Sequence, residues 1–434
     1  MLKVYHKVAD IMKLDLSKLI VIVGPTGSGK SNLAIDLTKK FNGEIISADS
    51  RQIYKGMDIG TGKVMNTSGA PHHLLDIVEP WEEYNVADFK CDALAIIQDI
   101  LRRGKLPILV GGTNLWVQAV VDNLDIPNVP PNKKLREEFE RALQESRIPA
   151  LEQVQYGAGK NPRTRTSSVR GRQESRVLEK WYKRLLKLDL DAEQFVPKDN
   201  PRRIIRALEV CLATGKPFSK LRKKGQPLFE VLKIGVDVPR AKLYPAIDAR
   251  VEKMLRAGLF DEVKRVYHKT YKHLRRTLHD KKTSILASML VMTGCVWKLP
   301  AFTGIGYREW KPYFELPRNV SGTQKVAVLK EVAQRIKYNT HAYVRRQMAW
   351  MRRDGSVRWV KNSREATALV KIFIKRPLHS KDRYLTNNHI VELIAKLPNH
   401  SLLSFQRKRE STIYWYCWIP AFAGMTKIEF CNGL

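Results

Sequence analysis

The sequence predicts an α/β protein: a parallel sheet flanked by helices and built around a phosphate-binding loop, with a mainly helical insert domain. Three observations lead there. Short β-branched runs, Leu19–Gly24, Glu44–Ala48 and Leu106–Val110, alternate with helical patterns over Ser31–Lys40 and Val86–Arg103, as a sheet with right-handed crossovers requires. Each run ends in polar or glycine residues, and ligands of such sheets sit at the carboxyl ends of the strands. The first run leads into GPTGSGKS, which fits GxxxxGK[ST] between a strand and a helix.

That loop carries the strongest chemical signal. Its residues are Gly24, Pro25, Thr26, Gly27, Ser28, Gly29, Lys30 and Ser31. The glycines let successive backbone N–H groups turn inward around an anion, and the helix N-terminus adds a favourable dipole. Lys30 supplies a point charge to a terminal phosphate, and Ser31 can hold Mg²⁺. The spacing predicts a phosphate or diphosphate ligand without saying whose; an NTPase or small-molecule kinase is compatible with it. Asp49 ends the second run and reads either as a metal-binding carboxylate, as a helix cap, or as a general base facing the loop. Gly111-Gly112-Thr113 follows the third run. There Thr113 is either a helix N-cap or a hydroxyl for a bridging phosphate oxygen.

After Leu124 the texture changes. Asp125–Lys133 is proline-rich, Leu135–Leu151 is a charged helical stretch, and Asn200–Thr214 is a helix with Pro201 at its start. A strand is expected over Val231–Val238, and long helices over Leu243–His268 and Thr323–Trp350. The division is a P-loop core in residues 1–124, a helical insert in 125–215, and core completion with basic helices in 216–375. An extra tail occupies 376–434. Residues 156–176 and 276–303 fit no periodicity and read as insertions. WKLPAFTG from Trp297 is echoed by WIPAFAG from Trp418. No catalytic part is expected of these stretches or of the tail.

Charge narrows the partner. The 434 residues hold 77 Lys and Arg against 43 Asp and Glu, a net charge of +34, which draws in polyanions. Arg202, Arg203 and Arg206 sit on one helix; Arg335, Lys337, Arg345, Arg346, Arg352 and Arg353 lie on or near another, interleaved with Tyr338, Tyr343 and Trp350. Charge among aromatic faces suits splayed RNA bases, although a solvated helix face would look similar. The five cysteines, Cys91, Cys211, Cys295, Cys417 and Cys431, form no CxxC pair, which argues against a disulfide scaffold and a zinc knuckle. With no apolar run of membrane-spanning length and no signal stretch, a cytoplasmic protein without membrane association, acting as a monomer, is expected.

Together and in this order, the motifs resemble the tRNA dimethylallyltransferase (tRNA isopentenyltransferase) family. The matching pieces are GPTGSGKS, ADSRQIYKGMDIGTGK (Ala48–Lys63), HHLLDIVEP from His72, Tyr84–Asp92, and LVGGTNLWVQAVVDNL from Leu109. NPRRIIRALEV from Asn200, TGKP from Thr214, DARVEKMLRAGLFDEV from Asp248, GIGYREW from Gly304 and RRQMAWMRRD from Arg345 complete it. The resemblance implies transfer of a dimethylallyl group from its diphosphate to N6 of the adenosine beside the anticodon in tRNA, with release of diphosphate. The loop then holds a leaving group rather than ATP. Asp49 would take a proton from, or hydrogen-bond, the adenine amine, and Thr113 would bind the oxygen between prenyl carbon and diphosphate. Lys30, Arg250 and Mg²⁺ near Ser31 would neutralise the departing charge. tRNA would be gripped at Asp49, Ser50, Arg51, Gln52, Thr113, Arg136, Asn200, Pro201, Arg202 and Arg203. Gly304, Ile305, Gly306, Tyr307 and Arg308 would complete that grip. The target base would have to flip out of the anticodon loop to reach the pocket.

Overall fold

The computed structural model describes residues 17–64, 69–146, 162–279, 295–317 and 319–376. Two units are distinguished: one formed by residues up to Asp122 together with those from Gln226 onward, the other by Asn123–Gly225.

The first unit is organised by a six-stranded sheet in the order β3-β2-β4-β1-β5-β6, with every pairing parallel. The strands are β1 (Ser17–Val23), β2 (Gly43–Ser47), β3 (His72–His73), β4 (Leu106–Gly111), β5 (Phe229–Val236) and β6 (Val357–Val360). Strand β1 is apolar on both faces because both are covered. Leu19, Val21 and Val23 enter one core cluster, and Ile20 and Ile22 enter the other. These five side chains are at most 2% exposed, a gross burial free energy of roughly 10 kcal/mol at about 2 kcal/mol each.

Helices α1 (Lys30–Phe41) and α2 (Val86–Arg102) lie on opposite faces. Leu33, Ala34, Ile35 and Leu37 of α1 pack in the cluster with Ile20; Phe89, Ala93, Ile96, Ile97 and Ile100 of α2 pack in the cluster with Leu19. Strand β1 is flanked by β4 on one side and β5 on the other, so the chain reverses its winding at β1 and β4. The carboxyl ends of those two strands are therefore where a ligand crevice belongs. Helix α3 (Asn114–Val121) follows β4 directly.

In the second unit, α4 (Lys133–Glu145), α5 (Pro162–Leu188) and α6 (Pro201–Thr214) form a helical core of their own, with the short α7 (Phe218–Leu221) beside them. Leu135, Phe139 and Leu143 of α4 meet Trp181, Tyr182 and Leu185 of α5 and Ile204, Leu208 and Cys211 of α6. Their spacings, i, i+4, i+8 in α4, i, i+1, i+4 in α5 and i, i+4, i+7 in α6, each mark one face of a helix.

Several elements differ from the sequence reading. Helix α4 ends at Glu145 rather than continuing to Leu151, and 147–151 lie outside the described residues. Of the stretch 156–176, residues 156–161 lie outside the described residues and the rest is helical from Pro162; the sequence shows almost no apolar periodicity there. Strand β5 runs two residues earlier than expected at both ends, Phe229–Val236. The single helix expected over Leu243–His268 is two, α8 (Arg240–Arg256) and α9 (Leu259–His279), broken at Gly258 with φ +92°. The later part of 276–303 is not set apart: Val296, Trp297, Ala301 and Phe302 are at most 8% exposed within the main core. Residues 280–294 and the tail from 377 lie outside the described residues. Helix α10 (Lys311–Phe314), the long α11 (Gly322–Met351) and α12 (Ser363–Lys375) are the last helices among the described residues.

Candidate active site

The phosphate loop joins β1 to α1. Gly27 and Gly29 adopt φ of +84° and +82°, which an L side chain rarely takes, and Gly29 is the left-handed residue at which α1 begins. Inside the turn, the Ser28 N–H donates to the Pro25 carbonyl at 3.2 Å. The Ser28 hydroxyl is buried without a partner. Burying a hydroxyl unpaired costs free energy, so Ser28 Oγ is a donor with unused capacity.

Lys30, Arg250 and Asp49 meet beside this loop. The Lys30 amine is 3.5 Å from the Pro25 carbonyl. Burial pushes its pKa down to about 8, with Asp49 pulling it up and Arg250 pushing it down. Burial also lowers Arg250, opposed by Asp49. Two cations crowded beside one carboxylate leave an excess positive charge that a diphosphate would satisfy. Arg250 stands against Gly62, where a Cβ would collide with the guanidinium. Gln52 holds that loop: its amide nitrogen lies 3.4 Å from the carbonyls of both Thr61 and Gly62, while its oxygen accepts from the Ser47 hydroxyl at 3.2 Å.

Asp49 lies in a turn and caps no helix among the described residues. Its Oδ1 accepts the Arg51 N–H at 2.9 Å, closing a tight turn at the end of β2. Thr113 makes no side-chain cap to α3. Its hydroxyl instead accepts the Ser50 N–H at 3.1 Å and lies 3.4 Å from the Ser50 hydroxyl. The carboxylate and the hydroxyl are thereby fixed to one turn. A small cleft opens here, lined by Lys30, Ser31, Ser47, Asp49, Gln52, His72 and Gly111, with Ala34, Ile45, Val64, Leu75 and Val110 as an apolar wall.

The segment Gly304–Arg308 joins the same unit through Arg51 and Tyr307. The Arg51 guanidinium donates to the Pro300 carbonyl, and its Cδ would touch a Cβ at Gly304. The Tyr307 hydroxyl donates to Glu262, which also accepts the backbone N–H groups of Asp58, Ile59 and Gly60 at 2.7–2.9 Å. Glu309 fastens the segment from the other side, accepting from Gly306 N at 2.9 Å and Asn339 Nδ2 at 2.7 Å. Ile305 is half-buried against the core and Arg308 is exposed.

The remaining expected tRNA residues belong to the helical unit. Asn200 caps α6 by accepting the Arg203 N–H at 3.2 Å, Pro201 is the first residue of that helix, and Arg202 and Arg203 are exposed. Arg136 forms a two-pronged pair with buried Glu209, at 2.6 and 3.0 Å.

The sequence reading missed Glu262 and Gln347. Gln347 is 3% exposed on the buried stripe of α11 and joins Thr26 to Gly112. Both residues stood inside quoted motifs. For Gln347 the signal was a polar residue at a helical position whose i±3 and i±4 neighbours, Tyr343, Val344, Trp350 and Met351, are aromatic or apolar; Glu262, with Arg265 at i+3, carried no such mark.

Comparison with known proteins decides the lineage. The IPP transferase model matches residues 52–354, and the isopentenyl transferase model residues 17–69. The chain belongs to the IPP transferase family. It is 41% identical over 337 residues to a tRNA dimethylallyltransferase of Roseiflexus sp. (strain RS-1), covering 77% of this chain and 90% of that one. It is 39% identical over 340 residues to the Chloroflexus aggregans enzyme of the same name, covering 78% and 94%. Among solved structures, a eukaryotic dimethylallyltransferase acting on tRNA matches with a TM-score of 0.55 and 27% identity, over 84% of this chain and 81% of that one. The expected family, a prenyltransferase on a P-loop parallel sheet with a helical insert, is thus borne out. No helix among the described residues is long and apolar enough to cross a membrane.

Proposed function

We propose that the chain transfers the dimethylallyl group of dimethylallyl diphosphate to N6 of the adenosine beside the anticodon of tRNA. The observation that carries this reading is the meeting of Lys30, Arg250 and Asp49 at the phosphate loop, with Thr113 tied to the turn that bears Asp49.

The phosphate-loop amides, the Ser28 hydroxyl, Lys30 and Arg250 hold the diphosphate. The apolar wall of Ala34, Ile45, Val64, Leu75 and Val110 suits a five-carbon prenyl chain. In the transfer, the bond between the prenyl C1 and the bridging oxygen breaks and the bond from N6 to C1 forms. Asp49 accepts the proton that N6 loses, and Thr113 donates a hydrogen bond to the bridging oxygen as negative charge develops there. Lys30 and Arg250 stabilise the diphosphate that leaves.

No three His, Cys, Asp or Glu side chains among the described residues cluster to hold a metal. Mg²⁺ still fits, because it is commonly held by one or two protein oxygens together with substrate phosphates. Ser31 would supply the protein oxygen, and the ion would further neutralise the diphosphate.

On the RNA side, Asp49, Ser50, Arg51, Gln52 and Thr113 receive the flipped base, and Gly304–Arg308 holds the adjoining backbone. Arg136 and Asn200–Arg203 grip the tRNA from the helical unit. The net charge of +34 draws the polyanion in. The protein works in the cytoplasm as a monomer.

The test is direct. Incubation with dimethylallyl diphosphate and unmodified tRNA, followed by digestion and mass spectrometry, should yield a prenylated adenosine. A folded protein that makes none, or that consumes ATP in preference, refutes the reading.

A further inference from the structure

Gln347 carries more than packing. It lies on α11 between Val344 and Met351, both buried, where an amide is costly unless both of its ends are bonded. Its Oε1 accepts the Thr26 N–H at 3.1 Å, and its Nε2 donates to the Gly112 carbonyl at 2.9 Å. Thr26 belongs to the phosphate loop, and Gly112 immediately precedes Thr113. A single side chain therefore spans the loop that grips the leaving group and the loop that carries the hydroxyl directed at it. Gly112 is cut to fit, since a Cβ there would run into Nε2. Tyr343 lies one turn earlier on the same helix; burial and then Asp49 push its hydroxyl up to about 12. The Thr26 amide is occupied by this bond, so the diphosphate is left to the amides further round the loop.

We propose that Gln347 is a positioning residue for prenyl transfer: it fixes the separation between the diphosphate cradle and Thr113 without touching either substrate. This rests on the function proposed above. It differs from a packing role in what it sets, namely the alignment of the breaking bond, where a displacement of about 1 Å costs on the order of 100-fold in rate.

The experiment compares wild type with Q347L, which keeps the volume and removes both bonds, and with G112A, which displaces the amide while leaving it present. Single-turnover transfer is measured with saturating tRNA and dimethylallyl diphosphate, alongside calorimetric binding of inorganic diphosphate and thermal unfolding. We expect the transfer rate of Q347L to fall about 100-fold and that of G112A to fall in the same direction, while diphosphate affinity changes by less than about threefold. A transfer rate in folded Q347L within threefold of wild type overturns the role. So does a fall in rate that is matched by an equal fall in diphosphate affinity, since that reports a collapsed cradle. Should Q347L not fold, Q347E carries the same test: it keeps the acceptor for Thr26 and loses the donor to Gly112. A wild-type protein that forms no product overturns the proposed function itself, whereas a rate change confined to the variants speaks only to Gln347.

Discussion

Replacing Glu262 by Gln tests whether the loop Asp58–Gly62 is held by charge. Glu262 is 1% exposed. Its Oε2 accepts the Asp58 and Ile59 N–H groups at 2.9 and 2.7 Å, and its Oε1 accepts Gly60 N–H at 2.9 Å and the Tyr307 hydroxyl. Burial and then Glu262 raise Tyr307 well above the usual tyrosine range, so its proton stays in place. A glutamine offers one oxygen in place of two. In its better orientation the oxygen keeps Asp58 and Ile59, Tyr307 turns to accept from the new amine, and the Gly60 N–H is left facing that amine. One orphaned buried donor costs about 1–3 kcal/mol, and the remaining bonds lose their charge assistance, for a total of about 3 kcal/mol. At about 2–4 °C per kcal/mol, the midpoint of thermal unfolding should fall by roughly 6–12 °C. Tyr307→Phe should cost about 1 kcal/mol, and the double variant should lose less than the sum because the two groups share a bond. Circular dichroism melts of the four proteins decide it. A midpoint for E262Q within 2 °C of wild type would refute the reasoning.

Asp49→Ala should lower turnover by several orders of magnitude while leaving tRNA binding largely intact, as read by product formation and filter binding side by side. Lys30 loses its proton above about pH 8 in the folded protein, so affinity for diphosphate should be flat below pH 7 and weaken across pH 8–9; calorimetry on Lys30→Arg, which stays charged, should remove that component. Asp92 is pushed up to about 6 by burial, its hydrogen bond from the Tyr84 hydroxyl opposing the shift. A raised carboxyl pKa penalises folding once the group ionises, fully above about 6 and not below its unfolded value near 4. Asp92→Asn should therefore stabilise by roughly 3 kcal/mol at pH 8 and by nothing at pH 3.5, measured by urea unfolding at both pH values.

The strands and the phosphate loop were legible because each is specified locally. Leu19–Val23 is apolar without interruption, and the glycines at 27 and 29 announce the positive φ they adopt. Long-range events were not legible. Gly258, one glycine among many, divides what reads as continuous helical periodicity. Residues 295–303 read as foreign sequence, yet Trp297 and Phe302 bury themselves among Tyr267 and Phe314, with ring centroids 4.6–6.4 Å apart. Aromatic surface packs wherever the chain brings it, whatever its origin. At the site, Asp49, Thr113 and Lys30 stood out because strand ends and spacing mark them. The partners of Gln347 lie 321 and 235 residues away, a relation that no local pattern encodes.

That separation bears on biogenesis. The ribosome makes Thr26 early and Gln347 late; at about 10 residues per second, 321 residues of synthesis last roughly half a minute. During that interval the amide of Thr26 has no glutamine to bond, and β5 still lacks β6. A growing polypeptide thus carries the turn shaped by Gly27 and Gly29 well before the side chain that bonds it arrives, and the Thr26–Gln347 link closes only after α11 has emerged from the exit tunnel.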